Sequence, residues 1–486
     1  MRTWSKYQLA VFENVASGTG HTVVNAVAGS GKSTTIESAV DYIPAGCSTL
    51  FVAFNKSIAE ELGRRMAGKP VAVSTLHSYG LRAITAAMGR LRIDGRRVDG
   101  FCEAMHGSER ETFELHRDLA KAVSLAKGSL AETAEAVDAI VDTFNIDSAF
   151  NGHRASFIKD VLVLLEKCKD VDNVDGCIDF DDMIWLPVVL NLRQRQFDRV
   201  FVDETQDLNA AQIEMVLRAV APGGRICAVG DPRQAIYRFR GADDRAFANV
   251  RDRLAATELP LSVCYRCARS VIDHVRAELP DIAIEAAPDA AAGEVVHVSK
   301  EQMVRDAGPG DFVLSRANAP LVGLCMTFLA EGRRATIQGR DVGASLAAFV
   351  KKSRAKSVEA LRDYVEAWCR KECERLAAKR RDTQAVEDRT ACVLALSDGA
   401  ETVADVTARI ESLFADSDDK NRITLSTTHK AKGLERDRVW LLEGTYRRYP
   451  EVEEENLYYV AATRARRTLC LVSGFDKKRR AESGDA

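Results

Sequence analysis

The sequence predicts an α/β fold of two parallel-sheet domains, each interrupted by a helical insertion. Three observations lead there. Short β-branched runs are separated by helical patterns or long connections, a glycine-rich loop directly follows the first run, and a second set of such runs fills the C-terminal half. The first set covers 22–27, 49–54, 71–75, 199–203 and 225–229. The second covers 294–298, 311–315, 334–338, 422–426, 438–442 and 468–473. At 486 residues the chain has room for roughly three or four domains.

Between the runs lie two stretches of helical character, about 84–177 and about 345–420. They divide the chain into a first sheet domain (1–83 and 178–258) with its insertion (84–177), a second sheet domain (259–344 and 421–478) with a shorter insertion (345–420), and a disordered tail (479–486). The second insertion carries Lys351, Lys352, Arg354, Lys356, Arg370, Lys371, Lys379, Arg380 and Arg381, interspersed with Glu359, Asp363, Glu366, Glu372 and Glu374. Mixed signs favour a solvated helix face over a nucleic-acid surface.

Composition excludes several classes. Hydrophobic residues at 46% and charged residues at 29% suit a globular chain, not a disordered or fibrous one. With 68 Lys plus Arg against 71 Asp plus Glu, the net charge of −3 draws no polyanion globally, so any nucleic-acid site is a local patch. Neither a signal-peptide core nor a membrane-length apolar run occurs, which predicts a cytoplasmic protein with no membrane partner. The 12 cysteines are expected as reduced thiols. Cys264 and Cys267 fit CxxC, but no second pair of zinc-ligand spacing accompanies them, and they read as ordinary thiols.

The first site signal is Ala26-Val-Ala28-Gly29-Ser30-Gly31-Lys32-Ser33-Thr34. Gly29 and Gly31 let backbone N–H groups curl around phosphates at a helix N-terminus, which is the logic of a Walker A loop. Lys32 reaches the β- and γ-phosphates and Ser33 completes the shell of Mg²⁺. Ala26 stands where the general pattern has its first glycine. The second signal is Arg199-Val-Phe-Val-Asp203-Glu204, an apolar strand ending in two carboxylates. Successive strand residues face opposite sides, so Asp203 suits Mg²⁺ and Glu204 suits a general base for the attacking water. Alone, such a pair is merely an acidic strand end. Together with the loop it predicts a Mg²⁺-dependent nucleoside triphosphatase.

The ordered motifs resemble those of superfamily 1 helicases of the UvrD/Rep/PcrA type, over residues 5 to about 473. Ser5-Lys-Tyr-Gln8-Leu9 resembles the adenine-reading glutamine motif. Ala53-Phe54-Asn55-Lys-Ser-Ile58 and Ser74-Thr75-Leu-His77-Ser-Tyr79 resemble two nucleic-acid motifs, and Asp203-Glu204-Thr-Gln-Asp207 stands where the family has D-E-x-Q-D. Gly230-Asp-Pro-Arg-Gln234-Ala-Ile-Tyr237-Arg-Phe239-Arg240-Gly-Ala242 is similar to the third motif, with Gln234 implied as γ-phosphate sensor. Phe239 replaces a common tryptophan. Cys264-Tyr265-Arg266 resembles N-Y-R, with Tyr265 implied to stack on adenine and Arg266 to contact γ-phosphate. Ile423-Thr-Leu-Ser-Thr-Thr428-His429-Lys-Ala-Lys-Gly-Leu-Glu435 and Leu457-Tyr-Tyr-Val-Ala-Ala-Thr-Arg464-Ala465 resemble the last two motifs. They imply Thr428 and His429 on nucleic acid, Glu435 near the sugar and Arg464 as a second γ-phosphate contact.

The resemblance implies two RecA-like motor domains that clamp one ATP, with Lys32, Ser33, Asp203, Glu204 and Gln234 from the first and Arg266, Glu435 and Arg464 from the second. It implies a helicase moving 3′ to 5′ on single-stranded DNA and at duplex junctions, monomeric when free, with replication or repair proteins as partners. Phe54, Asn55, Thr75, His77, Tyr237, Phe239, Arg240, Thr428 and His429 would grip the strand, by stacking and phosphate contact. Phe54 either stacks on a base or points into the core, and His77 and His429 are either contacts or structural histidines. No nuclease activity is expected. Two other readings stay open: a translocase that strips proteins or acts on RNA without efficient unwinding, and a P-loop regulatory switch that needs no nucleic acid.

Overall fold

The computed structural model describes residues 3–53, 55–109, 112–144, 146, 153–171, 176–238, 241–243, 245–378, 382–414, 419, 421–446 and 452–475. Phe54, Phe239 and Arg240 lie outside them. The chain divides into two compact units, Met1–Ser262 and Val263–Ala486.

The first unit is built on six parallel strands: β1 (Thr22–Ala26), β2 (Thr49–Ala53), β3 (Val71–Thr75), β4 (Phe197–Val202), β5 (Val220–Gly230) and β6 (Thr257–Leu261), in the order β3-β2-β4-β5-β1-β6. Alternation along each strand sends Val23, Leu50, Val52, Val200, Val202 and Ile226 to one apolar layer. The intervening Val24, Phe51, Phe201, Cys227 and Val229 go to the other. Both faces are therefore covered, as parallel sheets require. β6 pairs with β1 from Thr22↔Thr257 to Ala26↔Leu261. The first unit thus runs to Ser262, past the expected junction at 258, because an edge strand with Pro260 and exposed residues reads weakly as a strand.

The insertion between β3 and β4 is helical, with helices Arg97–His106, Phe113–Ser129, Ala134–Thr143 and Arg154–Lys169. It has an apolar core of its own around Leu119, Val123, Val161 and Leu164. Where the chain returns, four buried charges meet. Arg97 Nη1 donates to Asp182 Oδ2 at 2.7 Å, and Lys127 Nζ lies 2.6 Å from Asp179 and 2.7 Å from Asp182. Helix Leu76–Met88 and helix Asp182–Val189 approach so closely that a Cβ on Gly80 would stand 1.9 Å from the Met183 carbonyl oxygen. Only glycine fits that crossing.

The second unit repeats the plan with β7 (Glu294–Val298), β8 (Phe312–Ser315), β9 (Ala335–Ile337), β10 (Ile423–Thr427), β11 (Arg436–Leu442) and β12 (Ala465–Val472), ordered β7-β12-β11-β8-β10-β9 and all parallel. Its inserted helices, Arg340–Ser353, Val358–Ala378, Gln384–Ser397 and Val403–Leu413, share one apolar core with the sheet. Ile337, Leu425 and Trp440 from the strands pack with Leu361, Val393 and Ile410 from the helices. No described helix is long and apolar enough to cross a membrane.

Candidate functional site

In the first unit β1, β5 and β4 lie side by side, and the loops that leave their C-terminal ends carry the expected groups. The loop after β1 enters helix Lys32–Ala39 through Gly29 at φ 68° and Gly31 at φ 76°. That helix has no side-chain cap, so the N–H groups of its first turn, on Lys32, Ser33 and Thr34, point at no internal acceptor. The Ser30 hydroxyl is buried with no hydrogen-bond partner. Unsatisfied donors at a helix N-terminus fit an anion such as a phosphate. Ala28 is fully buried beneath the loop.

Lys32 Nζ stands 3.2 Å from Glu204 Oε2, and Ser33 Oγ donates to Asp203 Oδ2 at 2.9 Å. Burial opposes a charge on Lys32, but Glu204, Asp231 and Asp203 outweigh it and hold the ammonium pKa above its ordinary value. Burial, and then the neighbouring Glu204, pushes Asp203 up to about 6 against the pull of Lys32 and Ser33. Burial likewise raises Asp231. Three carboxylates around one ammonium leave a surplus of negative charge out of water, which a divalent cation relieves. Ser33 and Asp203 are the oxygen donors that would hold Mg²⁺. Among the described residues no three His, Cys, Asp or Glu side chains form a group that could hold a metal ion.

Glu204 has φ 52°, the left-handed region, where a non-glycine residue is strained by about 1–3 kcal/mol. That strain turns the carboxylate beside Asp203, whose Oδ1 accepts the Glu204 N–H at 2.9 Å. Two residues that the sequence reading passed over complete the arrangement. Gln206 donates from Nε2 to Glu204 Oε2 at 2.5 Å and accepts the Asp231 N–H on Oε1 at 3.0 Å. Asp231 in turn accepts from Gln234 Nε2 at 2.6 Å. Glu204 and Gln234 are thus joined through Gln206 and Asp231. The only signal in the sequence was that both lie inside quoted motifs.

Gln8 lies behind the loop and is buried. Its amide accepts from Ser5 N at 3.0 Å as part of a capping box on helix Lys6–Ser17, and donates to Thr35 Oγ1 at 3.0 Å. Asn55 and Thr75 are N-caps, accepting from Ile58 N and Ser78 N. His77 is partly buried, which lowers its pKa although Asp181 opposes the shift. Tyr237 is half-buried.

In the second unit the expected groups also gather. Arg266 Nε pairs with Glu435 Oε2 at 2.5 Å, and its Nη1 donates to the Thr463 carbonyl at 3.5 Å. Arg464 is 1% exposed and donates to three neutral acceptors: Val460 O at 2.8 Å, Leu434 O at 3.2 Å and Thr463 Oγ1 at 3.3 Å. Burial first, and then the charge of Arg266, lowers its pKa to about 10. A buried guanidinium held by carbonyls beside a second one is a site that favours an anion. Tyr265 is 47% exposed, an aromatic face open for stacking. Thr428 is buried and its hydroxyl bonds Tyr446 Oη at 2.6 Å, while His429 is partly buried.

The family model of the UvrD/REP helicase N-terminal domain matches residues 8–255, and that of the UvrD-like helicase C-terminal domain matches residues 330–474. The chain belongs to the UvrD/Rep helicase family. Among curated members of that family, the chain is 27% identical over 250 residues to the ATP-dependent DNA helicase PcrA of Bacillus subtilis, covering 48% of this chain and 33% of that protein. It is 30% identical over 253 residues to the ATP-dependent DNA helicase Rep of Salmonella typhimurium, covering 46% and 36%. The matched part thus spans about a third of the length of these UvrD/Rep-family relatives.

Proposed function

We propose that this chain is an ATP-driven motor that moves 3′ to 5′ along single-stranded DNA and opens duplex ahead of it. The observation that carries the reading is the convergence of Lys32, Ser33, Asp203 and Glu204 at one strand edge, in a chain of a helicase family. The uncapped turn of helix Lys32–Ala39 binds the phosphates, and Lys32 exchanges Glu204 for the phosphate oxygens. Glu204, released from the ammonium but still held by Gln206, takes the proton of the attacking water. Bound Mg²⁺ supplies charge neutralisation at the phosphates, with Ser33 and Asp203 as its protein ligands. Arg266 and Arg464 are the groups of the second unit that answer to the γ-phosphate, and Tyr265 offers a ring to the adenine. Asn55, Thr75, His77, Tyr237, Thr428 and His429, with Phe54, Phe239 and Arg240, are the candidate strand contacts. Their mix of stacking and phosphate binding entails little sequence preference.

ATP hydrolysis measured with and without single-stranded DNA tests this directly. DNA should stimulate the wild type, and Lys32→Ala and Glu204→Gln should both lose turnover, by about 10²–10⁴-fold for loss of the general base. Glu204→Gln should still bind ATP and DNA. An unstimulated wild-type rate would favour a nucleotide switch, and stimulation without strand displacement on a 3′-tailed duplex would favour a translocase that strips proteins.

A further inference from the structure

The first helix of the second insertion, Arg340–Ser353, carries Asp341 in its first turn, and Asp341 pairs with Lys430, the residue after His429. We propose that Lys430 is a further contact for the phosphates of a single strand, and that Asp341 competes with the strand for its ammonium.

Sheet pairing brings the two residues together. β9 and β10 lie side by side, from Ala335↔Ile423 to Ile337↔Leu425, and being parallel they end at the same edge. The chain leaves β9 through Gly339, at φ 127°, and enters helix Arg340–Ser353. It leaves β10 into the turn Thr428–Ala431. Within that turn Thr428 and Ala431 are buried, and the Thr428 hydroxyl is taken by Tyr446 Oη. His429 and Lys430 are therefore the side chains of the turn that reach solvent, and Lys430 carries the fixed charge.

Lys430 Nζ stands 2.7 Å from Asp341 Oδ1 and 2.8 Å from Oδ2. An ammonium binds phosphate as it binds carboxylate, as a compact charge with three rotatable donors, so one anion can replace the other. The hydrogen bond from Lys430 holds the Asp341 carboxyl below its usual range, which keeps the pair ionised at neutral pH. The Asp341 side chain is 62% exposed and that of Lys430 29%. The acid is thus the partner free to swing into water while the lysine stays in its turn. This tie is not what holds the helix, whose Leu346, Phe349 and Val350 are buried in the apolar core of the second sheet. An exposed pair shifts an equilibrium by no more than about fivefold, so a strand that offers several phosphates displaces the carboxylate. The insertion therefore loosens the grip on nucleic acid without closing the site.

The inference rests on the strand-contact reading of Thr428 and His429 proposed above, and the test separates the two. Binding of a fluorescein-labelled oligothymidylate to the whole protein is followed by anisotropy over a range of salt, with urea midpoints to confirm that each variant is folded. Asp341→Asn should bind about two- to fivefold more tightly than the wild type, the full worth of an exposed pair. Lys430→Met should bind more weakly, and its slope of log affinity against log salt should be shallower by up to about 0.7, one phosphate of a single strand. Charge acting at a distance would also move these two variants, so the double variant Asp341→Asn/Lys430→Met decides. It has the net charge of the wild type and should still bind several-fold more weakly, because the phosphate contact is gone. In a wild type that binds the oligomer and is stimulated by it, a double variant of unchanged affinity, or an Asp341→Asn that binds no more tightly, overturns this inference and leaves the motor reading standing. A wild type that neither binds the oligomer nor is stimulated by it overturns both.

Discussion

Glu204 has a side chain with three calls on it: the Lys32 ammonium, the Gln206 amide, and the strain of its own backbone at φ 52°. On the function proposed above, Gln206 is the contact that would persist when phosphate claims Lys32, and it would fix where the base points. Gln206→Leu should lower kcat on the order of a hundredfold, the scale on which misplacing a reacting group by about an ångström acts, with KM for ATP little changed. Gln206→Glu keeps the acceptor for Asp231 N–H but loses the donor to Glu204 and adds a buried charge beside it, so it should lose kcat by at least as much as Gln206→Leu; a fall in stability without a fall in kcat in either variant would count against a positioning role. Gly230 shares this constraint, since a Cβ there would lie 2.6 Å from Gln206 Oε1. Lys32, Ser33, Asp203 and Glu204 stood out in the sequence because the first two open a helix behind a glycine-rich loop and the last two follow an apolar strand, each in a recognisable spacing. Gln206 and Asp231 were not, because their role is a hydrogen bond between two loops, and spacing along the chain does not encode that.

At the level of elements, nearly every strand of the two sheets was readable from β-branched runs, and β6 was not. Its sequence Thr-Glu-Leu-Pro-Leu is mostly exposed, and pairing with β1 alone makes it a strand. The same edge holds a pH-sensitive contact. His21 Nδ1 accepts the Ile226 N–H at 3.1 Å, and the His21 carbonyl accepts the Thr257 N–H at 3.0 Å, so this residue ties β1 to β5 and β6. Burial first, and then Arg225, lowers its pKa below 6.5. Between the folded value and 6.5 the unfolded chain binds more protons than the folded one, so stability from this residue is present above 6.5 and is lost as pH falls below it. The urea midpoint of the wild type should therefore drop more between pH 7 and pH 6 than that of His21→Gln, which keeps an acceptor without titrating. Equal slopes would show that His21 is not protonated on unfolding.

Across a whole unit, the two insertions differ in a way that their compositions did not reveal. Both read as helical, yet the second shares the apolar core of its sheet while the first builds its own and is fastened by the charges of Arg97, Lys127, Asp179 and Asp182. Buried ion pairs cost about as much as they return, but breaking one leaves a bare charge behind. Asp182→Asn takes a carboxylate from Arg97 and leaves Lys127 with Asp179, and should destabilise the first unit by about 3–5 kcal/mol in chemical denaturation, whereas replacing the exposed Glu60, paired with the exposed Lys56, should do little. A loss under about 1 kcal/mol for Asp182→Asn would mean the charges are solvated.

The strand order of the first sheet carries a further consequence for how the protein is made. Thr22 pairs with Cys227 on one side and Thr257 on the other, so β1 leaves the ribosome long before either of its neighbours exists. During that interval its backbone groups have no strand partner, while helices Lys6–Ser17 and Lys32–Ala39, which share an apolar cluster with Val24, and the helices of the first insertion can fold on local contacts. Synthesis of this chain therefore passes through a stage in which a finished helical module trails an unpaired strand, the point at which a chaperone has most to protect.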